Sequence, residues 1–232
     1  KADVLPVPLK PYLNGIELPN TATEAELKST PLRLLWNHRW EYDKGPDRLL
    51  ALVNALQASG VVCELNVVGQ QFRQIPKAFA LIEAVLDQST TLQKGCWGYI
   101  DSAHDYQQLL QQCDVVISTA LHDYQGIAVL EAVQAGCVPL LPNQLVYPEI
   151  FAQLYLYDTA VYDEAGYDLT VDDKSAVHNE STMDDSAAAN NMCKLIEQWQ
   201  QHGLPAVPNI SQFEWHKQYD YYENRIQSLY QC

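Results

Sequence analysis

Hydrophobic and polar positions alternate between two periods along most of the chain. Leu32 to Trp36 is a short apolar run and predicts a strand. From Pro46 to Ser59 apolar residues recur at helical spacing, with Leu49, Leu50, Val53 and Leu56 on one face, and Gly60 stops the helix. The pattern then repeats: strand Val61 to Val68, helix Pro76 to Asp87, strand Gly95 to Ile100, helix from a Ser102 cap to Gln112. Strand Val115 to Thr119, helix Gly126 to Ala135 and strand Val138 to Leu141 follow, and Pro148 starts a further helix. Strands alternating with helices predict an α/β fold, a Rossmann-like parallel sheet with helices on both faces. Ligands of such sheets bind at the carboxyl ends of strands, here near 38–46, 69–73, 98–101 and 118–127.

The ends of the chain depart from this rhythm. Residues 1–30 carry Pro6, Pro8, Pro11 and Leu18-Pro19-Asn20 and read as an extended linker or edge segment. Residues 158–186 are acidic and poor in aliphatics, and read as an insertion or loop within a domain spanning 31–210. Helices are expected over about 184–201 and 212–230, the latter forming a C-terminal helix within 211–232.

Composition narrows the function classes. With 14 basic and 29 acidic residues the formal net charge is −15, which disfavours a phosphate-gripping surface on this chain. Hydrophobic residues at 47% suffice for a large core, and no apolar run reaches membrane-spanning length. Of six cysteines none forms a Cys-x-x-Cys pair, and Cys63, Cys113 and Cys137 lie in apolar strand-like runs. They read as reduced core thiols of a cytoplasmic protein, without metal-ligand spacing. The opening at Lys1-Ala2-Asp3, with no Met and no apolar signal core, leads us to expect that another domain precedes it in the native protein.

Four loops hold residues suited to chemistry. In His38-Arg39-Trp40-Glu41-Tyr42-Asp43-Lys44-Gly45-Pro46, two cations five residues apart flank a strand-to-helix loop. Beside a helix N-terminus they would hold a diphosphate, although spacing alone fits two solvated surface charges as well. In the second, Asp123 follows a strand, Gly126 opens a helix and Glu131 lies within it. Amides of Gly126, Ile127 and Ala128 suit a phosphate, and Glu131 suits ribose hydroxyls; a paired helix carboxylate is the plainer alternative. His122 alone reads as a structural, hydrogen-bonded residue. Gly69 and Gln70 at the third strand end, and Gly98-Tyr99-Ile100 at the fourth, permit close backbone contacts to a ligand, with packing as the default reading.

Taken in order, these pieces resemble glycosyltransferase family 4. The resemblance rests on Arg39 with Lys44-Gly45, Val68-Gly69 and Gly98-Tyr99-Ile100, then on Asp123 and Glu131 with seven residues between. Gly136-Cys137-Val138-Pro139, Glu149 and Phe213-Glu214-Trp215-His216 complete it, so that it spans residues 32 to 225. Three longer stretches, Trp36 to Lys44, Gly69 to Pro76 and Leu145 to Phe151, are similar to the tRNA-queuosine α-mannosyltransferase group. Where the family has Glu, Phe and Gly, this chain has Asp123, Gln125 and His38.

The resemblance implies the C-terminal donor domain of a two-domain GT-B enzyme that retains anomeric configuration and moves mannose from GDP-mannose to queuosine in tRNA. It gives Arg39, Lys44, Asp123 and Glu131 to the transfer and to donor contacts. Gly69, Gln70, Gly98, Tyr99, Ile100, His122, Gly126, Ile127 and Ala128 would line the donor. No metal and no other cofactor is expected, because the sequence has no Asp-x-Asp. The partners implied are a nucleotide sugar and a tRNA gripped mainly by the preceding domain, with no membrane. A family 4 enzyme acting on a lipid or polysaccharide acceptor and a non-catalytic nucleotide-binding module are the rival readings.

Overall fold

A computed structural model describes residues 31–159 and 180–213, together with Tyr219, Glu223 and Gln227. The expected linker over 1–30, most of the acidic stretch and most of the C-terminal helix lie outside the described residues. Six strands form one sheet: β1 (Leu32–Trp36), β2 (Cys63–Val68), β3 (Leu92–Gly98), β4 (Val115–Ile117), β5 (Val138–Pro142) and β6 (Leu156–Tyr157). Their order is β3-β2-β1-β4-β5-β6, and every neighbouring pair is parallel. The helices are α1 (Pro46–Ser59), α2 (Lys77–Gln88), α3 (Ala103–Gln112), α4 (Ile127–Gln134), α5 (Tyr147–Ile150) and α6 (Glu180–His202).

Local chemistry explains most boundaries. Pro46 opens α1 with its fixed φ, and Gly60 closes it in the left-handed region at φ 77°. Leu49, Leu52, Val53 and Leu56 form its buried face. The Ser102 hydroxyl accepts the Asp105 amide and caps α3 as its sequence predicts. Helix α1 packs on both α2 and α6, and α3 packs on α4. Right-handed crossovers put those two groups on opposite faces of the sheet.

The structure corrects the reading in three places. Strand β3 begins at Leu92, not Gly95, and ends at Gly98. It is an edge strand, and its exposed Gln93 and Lys94 hide it from a hydrophobic pattern. Helix α6 begins at Glu180, inside the stretch read as an insertion, and its Asp185 pairs with Arg48 at 2.9 Å. The two-residue β6 is too short for periodicity to reveal. Among the described residues no helix is long and apolar enough to cross a membrane. Cys63, Cys113, Cys137 and Cys193 are buried free thiols, and Cys96 is an exposed one.

Candidate functional site

The strand order reverses direction at β1, between β2 and β4, so the loops after β1 (37–45) and β4 (118–126) open side by side at the carboxyl edge. Five hydrogen bonds staple them together. Trp36 Nε1 donates to Thr119 Oγ1 at 2.8 Å, and that hydroxyl donates onward to the Lys44 carbonyl at 2.8 Å. The Leu121 and His122 amides both donate to the Asp43 carbonyl, at 2.9 and 3.1 Å. Lys44 Nζ donates to the His122 carbonyl at 2.7 Å. Gly45 lies in the left-handed region at φ 64°, and a Cβ there would run into the Thr119 carbonyl. A glycine is therefore required where the two loops cross.

The staples bring two of the expected residues together. Lys44 Nζ stands 3.9 Å from Asp123 and 3.3 Å from Asp43, with only 12% of its side chain exposed. Asp123 is already well supplied with donors. Its Oδ1 accepts the Gly126 amide at 2.9 Å and its Oδ2 accepts the Tyr147 hydroxyl at 3.0 Å. Since that hydroxyl has one proton, the Ser118 hydroxyl 3.0 Å away donates to Tyr147 in turn. Burial alone would raise the Asp123 pKa, but the Gly126 amide, Lys44 and the Tyr147 hydroxyl outweigh it and hold the carboxyl below its ordinary range. Burial first, then the Asp123 charge, pushes the Tyr147 hydroxyl well up, so it stays protonated as a donor.

This geometry narrows the expected anion site. The Gly126 amide belongs to Asp123, so it is not open to a phosphate. Among the described residues, the Ile127 and Ala128 amides at the first turn of α4 have no hydrogen bond. Glu131 is half-buried on the same helix and close enough to Tyr106 that, after burial itself, its charge is the largest influence raising that hydroxyl. Asn37 Nδ2 ties this corner together, donating to Tyr106 Oη at 3.0 Å and to the Ala128 carbonyl at 2.8 Å.

Among the described residues Arg39 joins that cluster only through Asp43, whose Oδ2 also faces Lys44. Half of the Arg39 side chain is exposed, and it contacts Glu41 at 2.7 Å and Asp43 at 3.7 Å. Between them, Trp40 is buried and stacked on Phe79 at 4.1 Å, which anchors the loop to α2. Gly69, at its strand end, is needed for the packing of two loops. A Cβ there would run into the His38 carbonyl, so it lets the loops after β1 and β2 pack. The Gln70 side chain is exposed while its carbonyl accepts the Trp40 amide at 2.9 Å. Gly98 is buried, Ile100 half-buried and Tyr99 exposed at the end of β3; His122 is exposed on the loop after β4. An open cavity of about 750 Å³, lined by Glu41, Tyr42, Asp43, Phe72, Arg73 and Gln74, lies between the loops after β1 and β2.

Several residues of this corner were given no role by the sequence reading, although Asn37 and Tyr147 lie in stretches that carry the resemblance. Tyr147, Ser118, Thr119, Asn37 and Tyr106 become partners of the site only through folding. His38 was noted only as a departure from glycine. It is buried edge-on against Trp36 at 5.2 Å, with Nε2 enclosed and without a hydrogen-bond partner. Burial pushes its pKa down to about 4, with Asp123 opposing. Its imidazole is therefore neutral at physiological pH. Among the described residues no three His, Cys, Asp or Glu side chains are grouped to hold a metal.

Residues 20–165 match the family model described as Glycosyl transferases group 1. A tRNA-queuosine alpha-mannosyltransferase of Drosophila melanogaster is 36% identical over 138 residues, 60% of this chain and 35% of that protein. A GDP-mannose:cellobiosyl-diphosphopolyprenol alpha-mannosyltransferase of Xanthomonas oryzae is 27% identical over 143 residues, 60% of this chain and 36% of that protein. The chain spans about a third of the length of the curated relatives it matches over these segments. The pneumococcal O-GlcNAc transferase, solved with UDP and GlcNAc, superposes with a TM-score of 0.51 at 14% identity, covering 87% of this chain and 36% of that one. At that identity the likeness concerns the fold, the Rossmann-like sheet of GT-B glycosyltransferases.

Proposed function

The chain belongs to the group 1 glycosyl transferases, and on that premise we propose that it is the donor-binding part of a retaining α-mannosyltransferase that uses GDP-mannose and modifies queuosine in tRNA. The observation that carries the reading is that Asp123 at the strand-order reversal faces Lys44 at 3.9 Å and takes the Gly126 amide at the head of α4 at 2.9 Å. A cation and a helix start linked by one carboxylate suit a diphosphate. As the bond between the sugar and the diphosphate breaks, negative charge builds on the departing oxygen. Lys44, the Ile127 and Ala128 amides and Arg39, once it leaves Glu41, stabilise that charge without a metal. Glu131 holds the ribose, Gly98, Tyr99 and Ile100 flank the base, and Gly69 and Gln70 border the sugar. Asp123, with His122 beside it, orients Lys44 and the sugar.

Support for mannose comes from two relatives named as mannosyltransferases, one of which is named for GDP-mannose. Support for tRNA comes from the first of them alone. The name of the second favours a polyprenol-linked acceptor as the alternative. A cytoplasmic location follows from the tRNA reading. Titration calorimetry tests the donor: GDP and GDP-mannose should bind the chain more tightly than UDP or UDP-glucose. Tight UDP binding with none for GDP would end the mannosyltransferase reading. Acceptor assays on queuosine-containing tRNA and on a polyprenol-linked disaccharide, run with the full-length protein, separate the two acceptors. The 232-residue chain alone should transfer nothing, because its match covers only about a third of the length of those relatives.

A further inference from the structure

The cavity between the loops after β1 and β2 lies beside the donor site described above and is lined by none of the residues assigned to the donor. Its lining combines two aromatic rings, Tyr42 and Phe72, with the carboxylates of Glu41 and Asp43, the Arg73 guanidinium and the Gln74 amide. Tyr42 is 62% exposed and Phe72 40%, and among the described residues neither is stacked on another ring. Exposed aromatics of this size at a concave site mark a binding surface.

The charges define what fits. Its two carboxylates are already paired with Arg39 and Lys44, which leaves Arg73 as the one cation of the lining, too few for a diphosphate or a phosphate-rich strand. A purely apolar ligand would cover the Gln74 amide and the Arg73 guanidinium without offering them partners. A flat heterocycle meets both demands, since its faces stack on the rings while its edge exchanges hydrogen bonds with the polar groups. A volume of about 750 Å³ suits one modified nucleoside. The cavity also shares a wall with the donor site, because Glu41 and Asp43 are the carboxylates that hold Arg39 at 2.7 and 3.7 Å. A group seated here lies next to the diphosphate cations.

We infer that this cavity receives an unstacked base of the acceptor RNA, held between Tyr42 and Phe72, so that this part of the protein contributes to acceptor recognition despite its net charge. The inference rests on the RNA acceptor proposed above. Stacking needs no cations, so the −15 charge does not oppose it as it opposes phosphate contacts.

The test is a fluorescence titration of the 232-residue chain with a short single-stranded RNA carrying 2-aminopurine, whose emission stacking quenches. GDP is present at saturation to occupy the donor site. Quenching is expected, with a shallow salt dependence. Tyr42→Ala and Phe72→Ala should each weaken it roughly tenfold, Phe72→Trp should preserve it, and all three should bind GDP like wild type. Two results overturn the inference: wild type that binds GDP but leaves the RNA unquenched, or alanine variants that bind RNA as wild type does. If wild type fails to bind GDP, the donor reading falls, and the RNA titration without GDP decides the cavity by the same two criteria.

Discussion

Lys44 and Arg48 sit four residues apart at the head of α1, and the structure uses them in opposite ways. Arg48 is turned into the interior where α1 packs on α6. Its side chain is 3% exposed, and Nε meets Asp185 of α6 at 2.9 Å, tying two helices distant in sequence. Lys44 points to the carboxyl edge. Its shortest contact is a backbone carbonyl, and its carboxylate neighbours stand at 3.3 and 3.9 Å. A buried ion pair with close geometry is committed to the fold, and losing one partner strands a charge. A cation held loosely beside a helix start keeps capacity for an anion. The cation with capacity left for a ligand is the one the fold has not fully paired.

The largest expected effect tests the committed side. Arg48→Ala should destabilise the chain by about 3–5 kcal/mol, read by urea unfolding, because Asp185 would be left partly buried and unpaired. GDP affinity of the folded fraction should be unchanged. A stability loss below about 1 kcal/mol would make the two cations alike.

Second comes acid, which should act on the edge and not where α1 packs on α6. His38 titrates near 6.5 unfolded but at about 4 folded, so the unfolded chain takes up the proton first. Stability is then full above pH 6.5 and falls by up to about 3 kcal/mol as pH drops toward 4. The depressed Asp123 carboxyl acts lower, contributing above its ordinary value of 3.8 and losing that contribution as pH falls further. His38→Gln should flatten the loss between pH 6.5 and 4 in chemical denaturation curves. An unchanged slope would mean that His38 is not the group responsible.

The uncommitted side predicts a binding loss without an equal stability loss. Lys44→Ala should weaken GDP by about tenfold to a hundredfold in calorimetry, the usual worth of a charge-assisted contact. The melting temperature should move far less than for Arg48→Ala. Arg39→Ala should behave alike and spare plain guanosine, whereas Glu131→Ala should weaken both ligands. Unaltered GDP binding in all three variants would remove the site assignment. The smallest effect is Tyr147→Phe, which deletes the donor to Asp123 and should cost about 1 kcal/mol of stability with a modest loss of GDP affinity.

Legibility in the sequence followed the range of the interactions. Pro46 and Gly60 bound α1 by local backbone preference, and Ser102 caps α3 through a bond three residues long, so both were readable. Strand β3 was misplaced because its edge position allows Gln93 and Lys94 to face water, and nothing local marks an edge. Arg39, Lys44, Asp123 and Glu131 stood out through spacing around strand ends. Tyr147 did not, because its importance lies in reaching Asp123 across 24 residues.

The sequence by itself determined the alternation of strands and helices, the parallel sheet and the edge on which chemistry gathers, because periodicity and turn residues act within a few positions. Only the tertiary structure decided which of those residues meet. Pairing of β1 with β4 brings Lys44 to His122 across 78 residues, and Asn37 to Ala128 across 91. It also gave the Gly126 amide to Asp123 and left the next two amides without a hydrogen bond. Hydrogen bonds between loops depend on strand register and helix docking, which are set by burial of the whole core and not by any local run of residues.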